Sequence, residues 1–150
     1  MTTLATVLTF DHRRCDELFA AAEEAASHHD LATAAQRFEE FRRVTERHFR
    51  IEEETLFPAF EDATGLRGGG GPTAVMREEH SMMRGLFDEM GQALAQGEGE
   101  RYLSQSETLL VLMQQHNLKE ERMLYPLADR ALGPKAEDLL ADIETALHQE

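Results

Sequence analysis

Apolar residues recur three and four positions apart along almost the whole chain, which is the spacing of one helix face. Leu4, Val7, Leu8, Cys15, Leu18, Phe19 and Ala22 form the first such stripe and predict a helix over about residues 3–27. Asp30 suits the cap of a second helix. Its stripe of Phe38, Phe41, Val44 and Thr45 continues through His48, Glu52 and Leu56 towards Gly65. Pro58 should kink or break that helix, because proline lacks a helical donor and clashes with the preceding turn. Residues 58–64 are then a tilted continuation. The glycine-rich run at 65–71 reads as a flexible loop. Pro72 suits the first turn of a third helix, reaching about Gln96 on Met76, His80, Met83, Phe87, Met90 and Leu94. A fourth runs over about 100–132 on Leu103, Leu109, Leu110, Met113, His116, Glu120, Leu124 and Leu127, with Pro126 interrupting it. Gly133-Pro134 precedes a short amphipathic helix at about 135–148 carrying Leu139, Leu140, Ile143 and Leu147. Nothing reads as strand. The expected fold is all-α: an antiparallel up-down four-helix bundle, built as two related helical hairpins, with an additional C-terminal helix. One domain is expected over residues 1–150, the bundle at about 3–132 and the extra helix at about 134–149.

Six polar residues interrupt the stripes where the bundle interior should be: His12, His48, Glu52, His80, His116 and Glu120. They belong to an internal repeat. HFRIEEETLFP, beginning at His48, is echoed by HNLKEERMLYP, beginning at His116. A shift of 68 positions carries His12, His48, Glu52 and Pro58 onto His80, His116, Glu120 and Pro126. Residues four apart on a helix share a face, so each echo sets an imidazole beside a carboxylate. At ~1.5 Å per residue, His12 and His48 lie about 24 Å and about 28 Å from the turn between them, and His80 and His116 each about 27 Å from theirs. Within each hairpin the two histidines therefore reach similar heights; the link between hairpins matches less well, and a break at Pro58 with the glycine loop absorbs the difference. A buried unpaired carboxylate costs several kcal/mol or more, so the cluster requires compensating charge. A pair of divalent or trivalent cations suits these imidazole and carboxylate donors.

Composition narrows the classes. The chain has 150 residues, 41% hydrophobic, enough for a folded core, and carries a formal net charge of −14. That charge disfavours nucleic acid and anionic membrane surfaces, which need basic patches. No apolar run is long enough to span a membrane. The N-terminus has neither a basic start nor a small-residue cleavage site. The single cysteine, Cys15, forms no intrachain disulfide, so a reducing, cytoplasmic setting is expected. The remaining chemistry-bearing residues have ordinary readings. His28 and His29 are exposed turn residues, Cys15 a small core residue, and Tyr125 a boundary aromatic. Met76, Met83, Met90, Met113 and Met123 are core filler. Glu53 and Glu54 are solvated.

His12, His48-x-x-x-Glu52, His80 and His116-x-x-x-Glu120, with LFP and LYP after the glutamates, resemble the hemerythrin-like, or HHE cation-binding, domain over about residues 4–132. The resemblance implies two iron ions held without haem. His12, His48, His80 and His116 would be terminal ligands, and Glu52 and Glu120 carboxylate bridges beside an oxo or hydroxo group. Manganese or zinc suits the same donors. Oxygen-carrying members have a fifth histidine one turn after the third-helix histidine. Here that residue is Arg84, which cannot ligate a metal. This weighs against reversible oxygen carriage, and Arg84 is expected to pair with Asp16 or with a ligand carboxylate. Glu121 is the competing carboxylate, since oxygen carriers place theirs five residues after the histidine; repeat symmetry selects Glu120.

The expected function is binding of, or reaction with, a small oxidant, namely oxygen, nitric oxide or peroxide, in sensing, detoxification or iron handling. The alternatives are a ferroxidase or peroxide-consuming enzyme, and a metal-stabilised module whose protein partner reads the loss or gain of metal.

Overall fold

Thr3 opens the first helix by accepting the amide of Thr6 on its side chain at 3.1 Å, and Asp30 does the same for Thr33 at 3.1 Å ahead of the second. The computed structural model describes residues 2–149. It contains α1 (Leu4–Ser27), α2 (Leu31–Ile51), α3 (Phe57–Thr64), α4 (Gly71–Ala95), α5 (Gly99–Lys119), α6 (Tyr125–Leu132) and α7 (Lys135–Leu147), with no strand among the described residues. The expected all-helical class is therefore observed. The long helices pack chiefly as the pairs α1–α2 and α4–α5, with α2 against α4 and α1 against α5 joining the pairs. The turn histidines, His28 and His29, are exposed, and His29 takes the left-handed region at φ 63°.

The two prolines do not break their helices. Between α2 and α3 lies one π turn, Glu52–Leu56, and between α5 and α6 another, Glu120–Leu124. In each, the amide that follows bonds five residues back: Phe57 to the Glu52 carbonyl, and Tyr125 to that of Glu120. Pro58 and Pro126 come directly after. The ladder has already shifted register where the proline donor is missing, so the backbone runs on through helical dihedrals, φ −62° and ψ −45° at Phe57. The physical cause is the inserted residue of the wide turn. α3 ends later, at Gly65, whose φ of 75° is the left-handed cap that glycine supplies cheaply.

Two apolar clusters flank a polar layer. One holds Phe19, Phe38, Phe41, Phe87, Met90 and Leu109 among others, with Phe41 packed edge-on against Phe19 and Phe87, both at 5.4 Å. The other holds Leu4, Leu8, Leu56, Phe57, Leu124 and Tyr125, and α7 closes it with Ile143 and Leu147. Met76, Met83, Met90 and Met113 are core as expected; Met123 is not, being 57% exposed. In the wide turn, Glu120 and Leu124 both face inward, and Met123 lies off that face. Leu110 and Leu127 also leave the predicted stripe for the surface, because Leu109 and Ala128 take the inward positions. Cys15 is buried in the first cluster, and burial pushes its thiol up to about 11, the behaviour of an inert core residue.

Candidate metal centre

The six residues that break the stripes converge. His12, His48, Glu52, His80, His116 and Glu120 are all at most 4% exposed. They form two groups, His12–His48–Glu52–Glu120 and Glu52–His80–His116–Glu120, each offering ligand atoms within 4.8 Å of one another. The two glutamates belong to both. Glu52 lies 3.4 Å from His48 Nε2 through one oxygen and 3.1 Å from His80 Nε2 through the other. Glu120 lies 3.0 Å from His12 Nε2 and 3.3 Å from His116 Nε2. Both glutamates open a π turn, a feature that clusters at functional sites.

An outer ring of carboxylates fixes the histidines. His48 Nδ1 donates to Asp11 at 2.7 Å, His116 Nδ1 to Glu79 at 2.8 Å, His80 Nδ1 to Glu53 at 2.7 Å and His12 Nδ1 to Glu121 at 2.8 Å. The ring obeys the same repeat: Asp11 corresponds to Glu79, and Glu53 to Glu121. Each histidine thus turns Nδ1–H outward and Nε2 inward, the orientation that a carboxylate imposes on a metal-binding imidazole. Glu53 is not a solvated residue, contrary to expectation. The extra residue of the wide turn lets Glu52 face the centre while its neighbour reaches α4; Glu54 alone is exposed. Glu120 and Glu121 divide in the same way, Glu120 inward and Glu121 outward.

Arg84 does not pair with Asp16 or with either inner glutamate. Its guanidinium grips Glu53 at 2.9 and 3.0 Å and Glu46 at 2.9 Å, and lies over the Phe49 ring at 5.3 Å. Phe49 in turn stacks on His80 at 3.9 Å. The helix register explains the difference, for Arg84 is one turn beyond His80 on the side of α4 that meets α2. Tyr125 is not a boundary aromatic either. It is wholly buried, and its hydroxyl donates to Glu52 at 2.6 Å.

Electrostatics follow from this crowding. Burial alone would raise Glu52, but His48 and His80 outweigh it and hold the carboxyl well below its ordinary value. Burial would lower His116, yet Glu120, Glu52 and Glu79 hold it up at about 9. Glu53, despite partial burial, is pulled down to about 2 by His80 and Arg84. Glu52 Oε1 and Glu120 Oε2 are buried with no hydrogen-bond partner. The Nε2 atoms of His80 and His116 face each other at 3.2 Å. Neutral rings that donate through Nδ1 have only a lone pair at Nε2. Once the inward Nε2 protons leave, the layer presents four imidazole lone pairs and two carboxylates, with the Tyr125 hydroxyl as a donor among them. A cation pair fits this set of acceptors, and the two orphaned oxygens give each shared carboxylate a free bond to offer.

The sequence model of the hemerythrin HHE cation-binding domain family matches residues 3–128. The chain belongs to that family, and the buried histidines and glutamates fit the cation site that defines it. No curated protein and no solved structure gives a significant match. No helix among the described residues is long and apolar enough to cross a membrane.

Asp11, Glu53, Glu79 and Glu121, which hold the four histidines through Nδ1, are the residues of this cluster that the stripes do not reveal. They adjoin inner ligand candidates in sequence, but point sideways between helices, so the apolar pattern carries no trace of them. Their one sequence signal is that an acid precedes His12 and His80 and follows Glu52 and Glu120, at the repeat offset.

Proposed function

We propose that the chain is a di-iron protein that binds, or reacts with, a small oxidant such as oxygen, nitric oxide or peroxide. In this reading the four long helical rods make an antiparallel up-down bundle. His12 and His48 serve one iron, His80 and His116 the other, and Glu52 and Glu120 bridge the two. The observation that carries it is the inward convergence of four Nε2 atoms whose Nδ1 groups are all held by carboxylates, around two carboxylates with unpartnered oxygens. Hard oxygen donors with imidazoles suit Fe(II) and Fe(III). When bound, such a pair supplies electrons one or two at a time and a position for a small ligand.

The protein's own part is to exclude water and fix the donors. All six inner residues are buried, which favours a gas or peroxide over any larger substrate. Asp11, Glu53, Glu79 and Glu121 hold the imidazole tautomers. Arg84 occupies the turn after His80 with a salt bridge instead of a fifth imidazole, which supports oxidant chemistry over reversible oxygen carriage.

The test is metal content with the visible spectrum of the full chain, loaded anaerobically with Fe(II) and then oxidised. About two irons per chain with an oxo-bridge charge-transfer band is the expected result. Less than about half a metal per chain sinks the reading.

A further inference from the structure

The repeat is not symmetric at the centre. Tyr125 and Phe57 occupy equivalent positions, each the first residue after its π turn. The Phe57 ring packs against His80 at 5.8 Å and brings no polar atom. The Tyr125 hydroxyl enters the other half-site. It lies 3.1 Å from His12 Nε2, 3.2 Å from His48 Nε2, 2.6 Å from Glu52 Oε2 and 3.0 Å from Glu120 Oε1. These are the four residues of the first cation group. Donor atoms about 2.1 Å from one ion and at right angles to each other sit about 3.0 Å apart. One oxygen at that spacing from all four of a half-site's donors stands as a fifth donor stands.

We infer that Tyr125 is a protein ligand to the metal held by His12 and His48, so the two metal positions are chemically different. The inference rests on the di-iron reading above. On loading, the phenol O–H bond breaks, the oxygen–metal bond forms, and the proton leaves to solvent. The first position then has five protein donors: His12, His48, Glu52, Glu120 and Tyr125. The second has four, with Phe57 and Phe49 beside it instead of a fifth. The hard anionic oxygen favours the ferric state of the first iron, and the small ligand goes to the second.

Resonance Raman spectroscopy tests this on the full chain, loaded with Fe(II) and oxidised by ferricyanide, one electron per iron. Tyrosine ring vibrations enhanced by visible excitation are expected in the wild type. They should be lost in Tyr125→Phe, which still holds two irons. The chain has 2 tyrosines, and the other, Tyr102, packs against Phe38 in the far apolar cluster, so the variant assigns the signal. Azide added to the wild type should bind without abolishing these bands. Two irons with no enhanced tyrosine bands, or bands that survive in Tyr125→Phe, overturn the ligand assignment. Bands that vanish on azide binding overturn the placing of the open position. A wild-type chain that takes up no iron overturns the di-iron reading itself, and this inference with it.

Discussion

Arg84 donates to both oxygens of Glu53, at 2.9 and 3.0 Å, and Glu53 accepts from His80 Nδ1 at 2.7 Å. A surface cation thereby reaches the buried ring in two steps. The bidentate grip keeps the carboxylate ionised and correctly turned, and the carboxylate fixes the imidazole.

Arg84→Met should therefore weaken metal retention by about tenfold, and Glu53→Gln by about 10–100-fold, the usual cost of losing a ligand's supporting hydrogen bond. Competition against a chelator measures both. Arg84→Lys should fall between wild type and Met, because one ammonium cannot hold Glu46 and Glu53 together. Equal affinity in all three variants would remove this chain of contacts from the centre.

The π turn makes a second claim about register. Leu124 is 1% exposed and Met123 57% exposed, although they stand four and three residues after the same inner glutamate. Leu124→Ala should cost about 2–5 kcal/mol of unfolding free energy, as large-to-small changes in cores do. Met123→Ala should stay within about 0.5 kcal/mol. Urea unfolding of the metal-free chain gives both values. Comparable costs for the two would mean that Met123 shares the buried face, as the third and fourth residues after Glu120 both do in a regular α turn.

The helices and the six inner residues were legible because burial leaves a periodic trace. His12, His48 and Glu52 stand where Leu or Val would stand, and the echo at His80, His116 and Glu120 removes chance as an explanation. The helix runs on where a break at Pro58 is one expectation, for a physical reason: periodicity reports which face is buried, not how the backbone ladder is closed. An inserted residue before Pro58 is invisible in the stripe, since Glu52 and Leu56 remain four apart and both inward. The apolar pattern passes over the outer carboxylates and Tyr125 for a different reason. Asp11, Glu53, Glu79 and Glu121 act across helix–helix seams, and Tyr125 differs from Phe57 by a single oxygen whose surroundings come from four separate segments.

Pro58 yields a direct test of this lesson. A proline that broke a regular helix would cost about 3 kcal/mol relative to alanine. Here the amide of Phe57 already bonds to Glu52, and the proline stands at the start of α3, where it is tolerated. Pro58→Ala should change stability by less than about 1 kcal/mol. A gain near 3 kcal/mol would show that the wide turn is strained by the proline instead of accommodating it.

Protons and metal compete for the same inward nitrogens, which fixes a pH dependence. In the metal-free chain His116 is held at about 9 against an ordinary 6.5, burial being outweighed by Glu120, Glu52 and Glu79. His12, His48 and His80 shift in the same direction. A raised histidine contributes stability in full below its unfolded value and loses it as pH rises through the folded one. The metal-free chain should therefore lose thermal stability between pH 6.5 and about 9. Glu53 works at the other end: lowered from 4.5 to about 2, it stabilises fully above 4.5 and its contribution fades as acid is added. Metal requires deprotonated Nε2, so apparent affinity should climb over the alkaline window and loading should release protons. The gap in Tm between loaded and metal-free chains should widen from pH 6.5 to about 9. Melting curves at a series of pH values read both effects together. A gap that stays flat, with metal-free stability rising in that window, would mean that the buried histidines are neutral before any metal arrives.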